Sequence, residues 1–406
     1  MKKFPYLLFA TMIVAFSVFS SCSDDNDDDG NTNNDDPKKY LNYEYSELST
    51  EKQKEKLQGD ANAFLSEMEE LKDNDALKIL KEFNALLEIN SPDKEFGSAE
   101  DLIRIADLYG KYTWNTSTKA WDFAESNKQT EFNFPVDGAP ASITITGVAS
   151  SLTQELYNGE EHLVYNGEWY EWEYTEELVA TVEIPKSIAV KIYSRTSEVG
   201  TVNLFSDIKD KTTAPVKSEV SYSLGKYTMT TTVEKASPSI VKSAIKKGNK
   251  VLIDASADIS GNMDNLVNEK DPGQMTGNAT IKIMDAFAIS GNMDVTNYRK
   301  DCDKAEENYD NYRGSDWDEA EEIWEKAKSK AFNDHTDLYL ISLSDKTKIA
   351  KLVSTAKEKT YYGYTYWEET FALQFGDETV VEAEVYFSSG FDAFMNNLNK
   401  FINSFE

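Results

Sequence analysis

Between Tyr112 and Tyr298 the apolar residues recur at every second position, and this period constrains the fold more than any other feature of the chain. Residues 141–147 and 178–184 alternate cleanly between apolar and other side chains. Strands at this density without intervening helices predict a large antiparallel sheet, because parallel strands need long crossovers. Ser and Thr at many alternate positions predict that one face of the sheet meets water. Further strands are predicted at residues 188–194, 199–205, 219–224, 227–234, 251–259 and 279–289.

Helical periodicity precedes and follows this β region. Residues 41–111 show apolar side chains at helical spacing, and the last helix predicted there begins at Ser98. Residues 299–335 form a second helical segment, whose predicted apolar face includes Trp317 and Ile323. Each of these amphipathic faces needs a partner to cover it.

The last part of the chain, residues 336–406, returns to strand-like alternation, interrupted at 346–359, and closes with an amphipathic helix that begins near Phe391. We assign residues 112–298 to the antiparallel β region and expect 336–406 to share one domain with 41–298. The predicted fold class is α+β. A large antiparallel sheet, either a meander or an open half-barrel, is expected to pack against N-terminal, central and C-terminal amphipathic helices.

The N-terminus carries an export signal: a lysine-led start, an apolar stretch too short for a stable membrane span, and the sequence Phe19-Ser20-Ser21-Cys22. These four residues resemble the lipobox of bacterial lipoproteins. The resemblance implies that residues 1–21 are a signal peptide, cut between Ser21 and Cys22, and that acyl chains such as palmitate are attached to Cys22. Two or three acyl chains anchor a protein firmly, so the membrane is the first predicted partner.

Residues 22–40 are the predicted tether, in which seven aspartates follow the lipidated cysteine and favour disorder. An acidic run at this position also resembles the signal that sends lipoproteins of Gram-negative gut bacteria to the outer face of the outer membrane. We therefore expect the protein at the cell exterior. A calcium loop is the alternative for the same carboxylates, but no helix precedes them and the twelfth position is not Glu, so no metal site is predicted. The calcium ligands would be Asp25, Asp27, Asp29 and Asp36.

The whole chain is acidic, with 72 Asp and Glu against 42 Lys and Arg and a net charge of −30. Such a surface repels phosphate backbones, so no nucleic-acid partner is predicted. The chain has only two histidines, His162 and His335, which argues against a Ser-His-Asp triad and against a multi-histidine zinc site. The charges of Asp301 and Asp303 oppose ionisation of the Cys302 thiol between them. We identify no catalytic residues and no cofactor, and favour a binding function over an enzymatic one.

Two aromatic runs, residues 165–174 and 361–367, form the candidate ligand surface. Alternate residues of a strand share a face, and flat rings beside carboxylates suit stacking on sugars. A glycan or another surface ligand is therefore the predicted partner, and cross-strand packing of the rings is the alternative. The candidate binding residues are Trp169, Tyr170, Trp172, Tyr174, Tyr362, Tyr364 and Tyr366.

A six-residue repeat stands within the β region: Ile259-Ser-Gly-Asn-Met-Asp264 returns as Ile289-Ser-Gly-Asn-Met-Asp294. The structural interpretation predicts two strands that end in the same Ser-Gly-Asn turn. The functional interpretation would combine the polar residues of both copies in one paired site. These residues are Asn262, Asp264, Asn292 and Asp294.

A second resemblance covers residues 108–252 and rests on Tyr109-Gly-Lys-Tyr112-Thr-Trp114-Asn115, Trp121 and Phe132-Asn-Phe134-Pro135. This segment resembles uncharacterised lipoproteins of Gram-negative gut bacteria, a likeness that implies no activity. The sequence predicts an outer-membrane-anchored, surface-exposed lipoprotein that binds a ligand or partner without catalysis. Two alternatives stay open: a periplasm-facing lipid carrier with a half-barrel cavity, and a cryptic polysaccharide hydrolase.

Overall fold

The computed structural model describes residues 37–92, 102–165, 170–268, 270, 273–314, 316–361, 364–388 and 391–403. It is 31% helical and 48% strand, and seventeen strands form a large mixed sheet accompanied by several helices. The predicted α+β class with a large sheet is confirmed in this form. The alternative calcium ligands and Cys22, which is predicted to be lipidated, lie outside the described residues.

Helices stand mainly at the two ends of the chain, and two 3-10 segments, Glu69–Asp73 and Ile105–Leu108, accompany them. The α-helices of the described residues are α1 (Pro37–Leu41), α2 (Thr50–Met68), α3 (Asp75–Ile89), α4 (Met263–Val267), α5 (Val295–Asp310), α6 (Trp317–His335), α7 (Ala383–Ser388) and α8 (Asp392–Asn403).

Strands occupy most of the chain between α3 and α7. They are β1 (Leu102–Ile103), β2 (Gly110–Asn115), β3 (Ala120–Ala124), β4 (Thr130–Val136), β5 (Ala139–Tyr165), β6 (Tyr170–Ser194), β7 (Ser197–Ser206), β8 (Lys217–Leu224), β9 (Tyr227–Glu234), β10 (Ser239–Lys247), β11 (Lys250–Ile259), β12 (Thr276–Ile283), β13 (Phe287–Asp294), β14 (Thr336–Ser342), β15 (Thr347–Tyr361), β16 (Tyr364–Gln374) and β17 (Val380–Glu382).

The chain divides into two compact units. One, which we call the central unit, comprises Asp73–Thr230. The other, the terminal unit, comprises Met1–Lys72 and Thr231–Glu406. Each unit has a hydrophobic core of its own.

In the central unit, β4 to β8 pair antiparallel in chain order, and β2 pairs antiparallel with β3. Two pairings are parallel, β1 with β6 and β2 with β4, so the sheet is mixed where the sequence predicted an antiparallel one. Ile79 of α3 is buried in one core with Trp114 of β2 and Ile143 of β5. Asn74 caps α3, because its side chain accepts hydrogen bonds from the amides of residues 76 and 77.

In the terminal unit, each strand from β10 to β17 pairs antiparallel with its neighbours in the chain. The largest core cluster of this unit joins Leu57 of α2 with Leu340 of β14 and Leu373 of β16. Tyr386 of α7 and Phe391 at the start of the last helix belong to the same cluster. Tyr386 is fully buried, so the C-terminal segment is part of this core.

The helix predicted from Ser98 is wrong where the structure describes it. Leu102 and Ile103 form β1, which pairs with Thr181 and Val182 of β6, and the following residues make a single 3-10 turn. The reason is tertiary: hydrogen bonds to β6 satisfy a backbone that local spacing assigned to a helix.

Two predictions for the strands also need correction. Residues 279–289 are not one strand but the hairpin of β12 and β13, which turns at Met284 with a φ of 52°. The predicted interruption at 346–359 is strand β15, which pairs with both β14 and β16. Its Lys and Thr side chains look like a loop in sequence, but two neighbouring strands satisfy its backbone.

The two copies of the repeat have different structures. In the first copy Gly261 has a φ of 112°, and Asn262 caps α4 through the amides of Asp264 and Asn265. The second copy stays in β13 throughout, and its last residue, Asp294, caps α5. The prediction of one shared turn is therefore wrong for the second copy. Asn262 and Asp294 therefore cap separate helices, α4 and α5.

Candidate ligand-binding surface

Three of the predicted ligand-binding residues, Tyr170, Trp172 and Tyr174, lie at alternate positions of β6. The register sets Tyr170 opposite Tyr165 and Trp172 opposite Leu163 of β5. Residues opposite each other in an antiparallel pair belong to one face. The backbone therefore places these aromatic positions on one face of the β5–β6 hairpin.

The β5–β6 hairpin continues where the neighbouring strands stop. β4 pairs with β5 only up to Ile145, and β7 pairs with β6 only from Ser187. Between Thr153 and Glu183 the two strands pair with each other. Within the described chain, the only other strand that pairs there is the short β1, at residues 181 and 182. We call residues 153–183 the ribbon.

Three apolar side chains on the described part of the ribbon are open to solvent, although Ala180 is buried. Leu156 is 45% exposed, Tyr157 51% and Val179 52%. The Tyr157 hydroxyl donates to the Glu155 carboxylate at 2.7 Å. A two-stranded ribbon is marginally stable alone in water, and grouped exposed apolar residues mark binding surfaces. The ribbon is therefore the part of the central unit best suited to receive a partner.

The ribbon is also strongly acidic. No Lys or Arg occurs between Lys128 and Lys186, although the whole chain carries 42 of them. Glu171 and Glu173 alternate with the aromatic positions of β6, so the backbone places them on the opposite face. Over residues 170–174 of β6 the aromatic positions therefore lie on one face and Glu171 and Glu173 on the other, while positions 161 and 176 add two glutamates to the aromatic face. The glutamates of the ribbon are Glu155, Glu160, Glu161, Glu168, Glu171, Glu173, Glu176, Glu177 and Glu183.

Residues 102–109, which we call the brace, contact the ribbon where it joins the rest of the sheet, near Gly147 and Glu183. We call this junction the root of the ribbon. The Ile105 amide donates to the Glu183 carboxylate at 2.9 Å. The Tyr109 hydroxyl donates to the Gly147 carbonyl oxygen at 3.1 Å and accepts from the Gly147 amide at 3.3 Å. A Cβ on Gly147 would lie 2.6 Å from Ile105 Cγ2, so only glycine permits this close approach.

The root also contains an irregularity of β5. Ala149 is opposite Pro185, and the next paired residue, Thr153, is opposite Glu183. The three residues between them have a single residue across the pair, as in a special β-bulge. Bulges bend a strand and increase its local twist, so we expect the direction of β5 to change at the root of the ribbon. Sequence reasoning missed both the brace and the bulge.

The second aromatic run lies in the terminal unit. Tyr364 and Tyr366 are in β16, and Tyr366 is half-buried and opposite Lys359 of β15. This run and the ribbon therefore belong to different units. Trp169 and Tyr362, the remaining predicted binding residues, lie outside the described residues.

Helix α6 carries a polar stripe that the sequence analysis did not single out. Its members are spaced four residues apart and share a face of the helix. Trp317 and Ile323, assigned to the apolar face, are 54% and 55% exposed, so that assignment is wrong for them. The stripe consists of Glu321, Glu325, Ser329 and Asn333.

Ser354 of β15 is the centre of the contacts that this stripe makes. Its hydroxyl donates to the Glu369 carboxylate at 2.6 Å and lies 3.0 Å from the Ser329 hydroxyl. The Asn333 amide group bonds both the carbonyl oxygen and the amide of Ser354 at 2.8 Å. Ser354 is only 2% exposed, so these bonds connect α6 to β15 and β16 and do not face a substrate.

The thiol of Cys302 on α5 lies near this network. Burial raises the pKa of Cys302, and the charge of Glu369 adds to that rise. Asp303 contributes in the same direction but less, so burial dominates over the sequence neighbours expected to control this thiol. A protonated, half-buried thiol is a poor nucleophile.

His335 pairs with a carboxylate. Its Nε2 lies 2.9 Å from the Asp301 carboxylate, and this hydrogen bond lowers the pKa of Asp301. The described residues contain no group of three His, Cys, Asp or Glu arranged to hold a metal ion. They also contain no helix long and apolar enough to cross a membrane.

Comparison with known proteins finds no relative. No family model, no curated protein and no solved structure matches this chain. The geometry of the described residues and the sequence patterns therefore carry the functional argument.

Proposed function

We propose that this chain is a lipid-anchored protein of the outer membrane that faces the cell exterior and binds a ligand or partner, without catalysis, through the ribbon. In this proposal acyl chains on Cys22 hold the protein, and the acidic residues 22–40 act as tether. The amphipathic helices cover the dry side of the sheet and leave the ribbon to the ligand. The resemblance of Phe19-Ser20-Ser21-Cys22 to a lipobox supports the anchor.

One observation carries the binding function. Along most of the ribbon β5 and β6 pair only with each other in the described chain, and Leu156, Tyr157 and Val179 are about half exposed. Leaving such groups in water forgoes about 25 cal/mol for every Å² of apolar surface that a partner would cover. A partner that covers the ribbon recovers this free energy, so the surface favours association.

Tryptophan substitution tests the binding function. The protein is prepared with Cys22→Ala and screened against oligosaccharide and peptide arrays, followed by fluorescence titration of the hits. Trp172→Ala is expected to lower affinity about thirtyfold, because a buried aromatic contact at an interface contributes about 2 kcal/mol. Trp317→Ala is the matched control, since Trp317 is an exposed tryptophan of the other unit. Equal affinities for both variants and the parent would overturn the proposal.

Protease treatment of intact cells tests the predicted location. The part of the protein that follows the tether, which we call the body, is expected to be digested while a periplasmic protein stays intact. Protection of the body in intact cells, together with digestion in ruptured cells, would contradict surface exposure and favour the periplasmic lipid carrier.

A further inference from the structure

We infer that the outer edge of β6 along the ribbon, residues 170–180, takes up an extended segment of a partner polypeptide in which Lys or Arg alternates with apolar residues. The inference rests on the proposed function and names the class of partner. It follows from three features: an edge that already accepts a strand, two chemically different faces, and a single sign of charge.

The edge is demonstrably competent for strand addition. Leu102 and Ile103 of β1 already pair with it, in parallel, at Thr181 and Val182. From there to Tyr170 no strand of the described chain pairs with this edge of β6. An extended peptide that joins an open edge gains main-chain hydrogen bonds whatever its sequence, and side chains at alternate positions then decide specificity.

The two faces of β6 determine which residue types the partner strand needs at alternate positions. On an added strand, residues beside Tyr170, Trp172 and Tyr174 meet the aromatic face, and the intervening residues meet the face of Glu171 and Glu173. Apolar residues suit the first set of positions and Lys or Arg the second. Arg also stacks on aromatic rings, so the aromatic face can accept an Arg of the partner strand as well as an apolar residue.

Charge selects against other occupants of this edge. A second copy of the ribbon would bring its own glutamates, and no Lys or Arg, against the first. The chain's own residues 93–101 carry four acidic side chains and one lysine. Like charges directly opposite each other destabilise a strand pair, whereas opposite charges contribute about 0.2 to 1 kcal/mol per pair. A basic partner is therefore favoured over both.

Synthetic peptides test the inference on the full body with Cys22→Ala. The probe is a capped twelve-residue peptide that alternates Lys and Val, and its binding is measured by titration calorimetry at low and high salt. The control peptide has the same composition in two blocks, six Lys followed by six Val. The alternating peptide is expected to bind about tenfold more tightly than the block peptide, because only alternation matches both faces. Its affinity should fall at high salt, since exposed charges are screened.

Charge-neutralising variants locate the site. The double substitution Glu171→Gln and Glu173→Gln is expected to weaken binding of the alternating peptide about tenfold. Glu306→Gln with Glu307→Gln removes the same charge from exposed positions of α5 and is expected to change nothing. Circular dichroism and thermal unfolding of both double variants establish that they remain folded.

The possible outcomes separate this inference from the proposed function. If both peptides bind equally, or if the α5 variant loses as much affinity as the ribbon variant, strand addition by a basic partner is wrong. If only uncharged oligosaccharides bind and Trp172→Ala abolishes that binding, the class of partner is wrong while the ribbon remains the binding element. If neither the Trp172 nor the Glu171 and Glu173 substitutions affect any ligand, the proposed function itself fails.

Discussion

Gly291 shows how a single residue type can be required by the sheet. It lies in β13 between β12 and β14, and a Cβ added there would overlap the carbonyl oxygen of Asp337 on β14. Gly291→Ala is therefore expected to lower the free energy of unfolding by about 3 kcal/mol, because the backbone of β14 must move. Urea denaturation followed by tryptophan fluorescence measures this change.

Gly277 provides the matched control for that prediction. It lies in the adjacent strand β12, but the nearest atom to an added Cβ is the Asp258 carbonyl oxygen at 3.6 Å, an ordinary contact. Gly277→Ala is expected to change the free energy of unfolding by less than about 1 kcal/mol. Equal destabilisation by both substitutions would contradict the steric explanation.

Tyr386 links burial to the pH dependence of stability. Burial raises its pKa to about 12, and its hydroxyl has no hydrogen-bond partner among the described residues. Below pH 10 the phenol is protonated in both the folded and the unfolded state. As the pH rises from 10 to 12, only the unfolded state loses the proton, so this residue's contribution to stability is lost.

Tyr386→Phe is expected to make stability fall less steeply between pH 10 and 12. Near pH 7 it should be neutral or slightly stabilising, because it removes a buried donor that lacks a partner. Urea midpoints of the parent and the variant at pH 8 and pH 11 test both statements. A variant with the same alkaline loss of stability as the parent would contradict the role of this phenol.

At the scale of elements, the brace determines how the ribbon joins the central unit. Gly147→Ala is expected to displace Ile105 and weaken the bonds that Tyr109 makes with the backbone of residue 147. Hydrogen exchange of residues 102–109 should become faster. Ile105→Ala removes the atoms that the new Cβ meets, so the double variant should recover about 1 kcal/mol relative to additivity. Strict additivity of the two substitutions would show that this contact does not hold the ribbon.

Elements differ in how far sequence predicts them. Alternation locates parts of β5 and β6, because period 2 is a local property, but residues 178–184 and 188–194 were predicted as two strands and form the single strand β6. The repeat shows the limit: the same six residues form a turn and helix cap in one place and a continuous strand in another. Pairing of β13 with two neighbours decides the second conformation, and no local pattern reports that pairing.

The polar stripe of α6 was missed for a related reason. Polar residues four apart, such as Glu325 and Ser329, are typical of a solvated helix face. Here they are buried, at 6% and 5% exposure, because Ser329 finds a hydroxyl partner in β15 and Glu325 an ion pair with Lys328 at 2.7 Å. The partner of Ser329 is distant in sequence, and the brace and bulge of the ribbon depend on such distant partners too.

At the scale of the whole molecule, the proposal connects an N-terminal lipid anchor with a binding ribbon in the central unit. The net charge of −30, counted over the whole chain, favours solubility and repels anionic surfaces. It also gives long-range attraction for a cationic partner, which should associate faster at low ionic strength.

Labelling of a cysteine in the ribbon tests whether the ribbon faces the cell exterior. Thr175→Cys places a thiol at an exposed position of the ribbon, whereas Cys302 is half-buried with a raised pKa and serves as the internal control. Intact cells that make the variant are treated with a membrane-impermeant maleimide. We expect the variant to be labelled on intact cells while the parent is not. Labelling of the variant only after the outer membrane is disrupted would contradict this expectation.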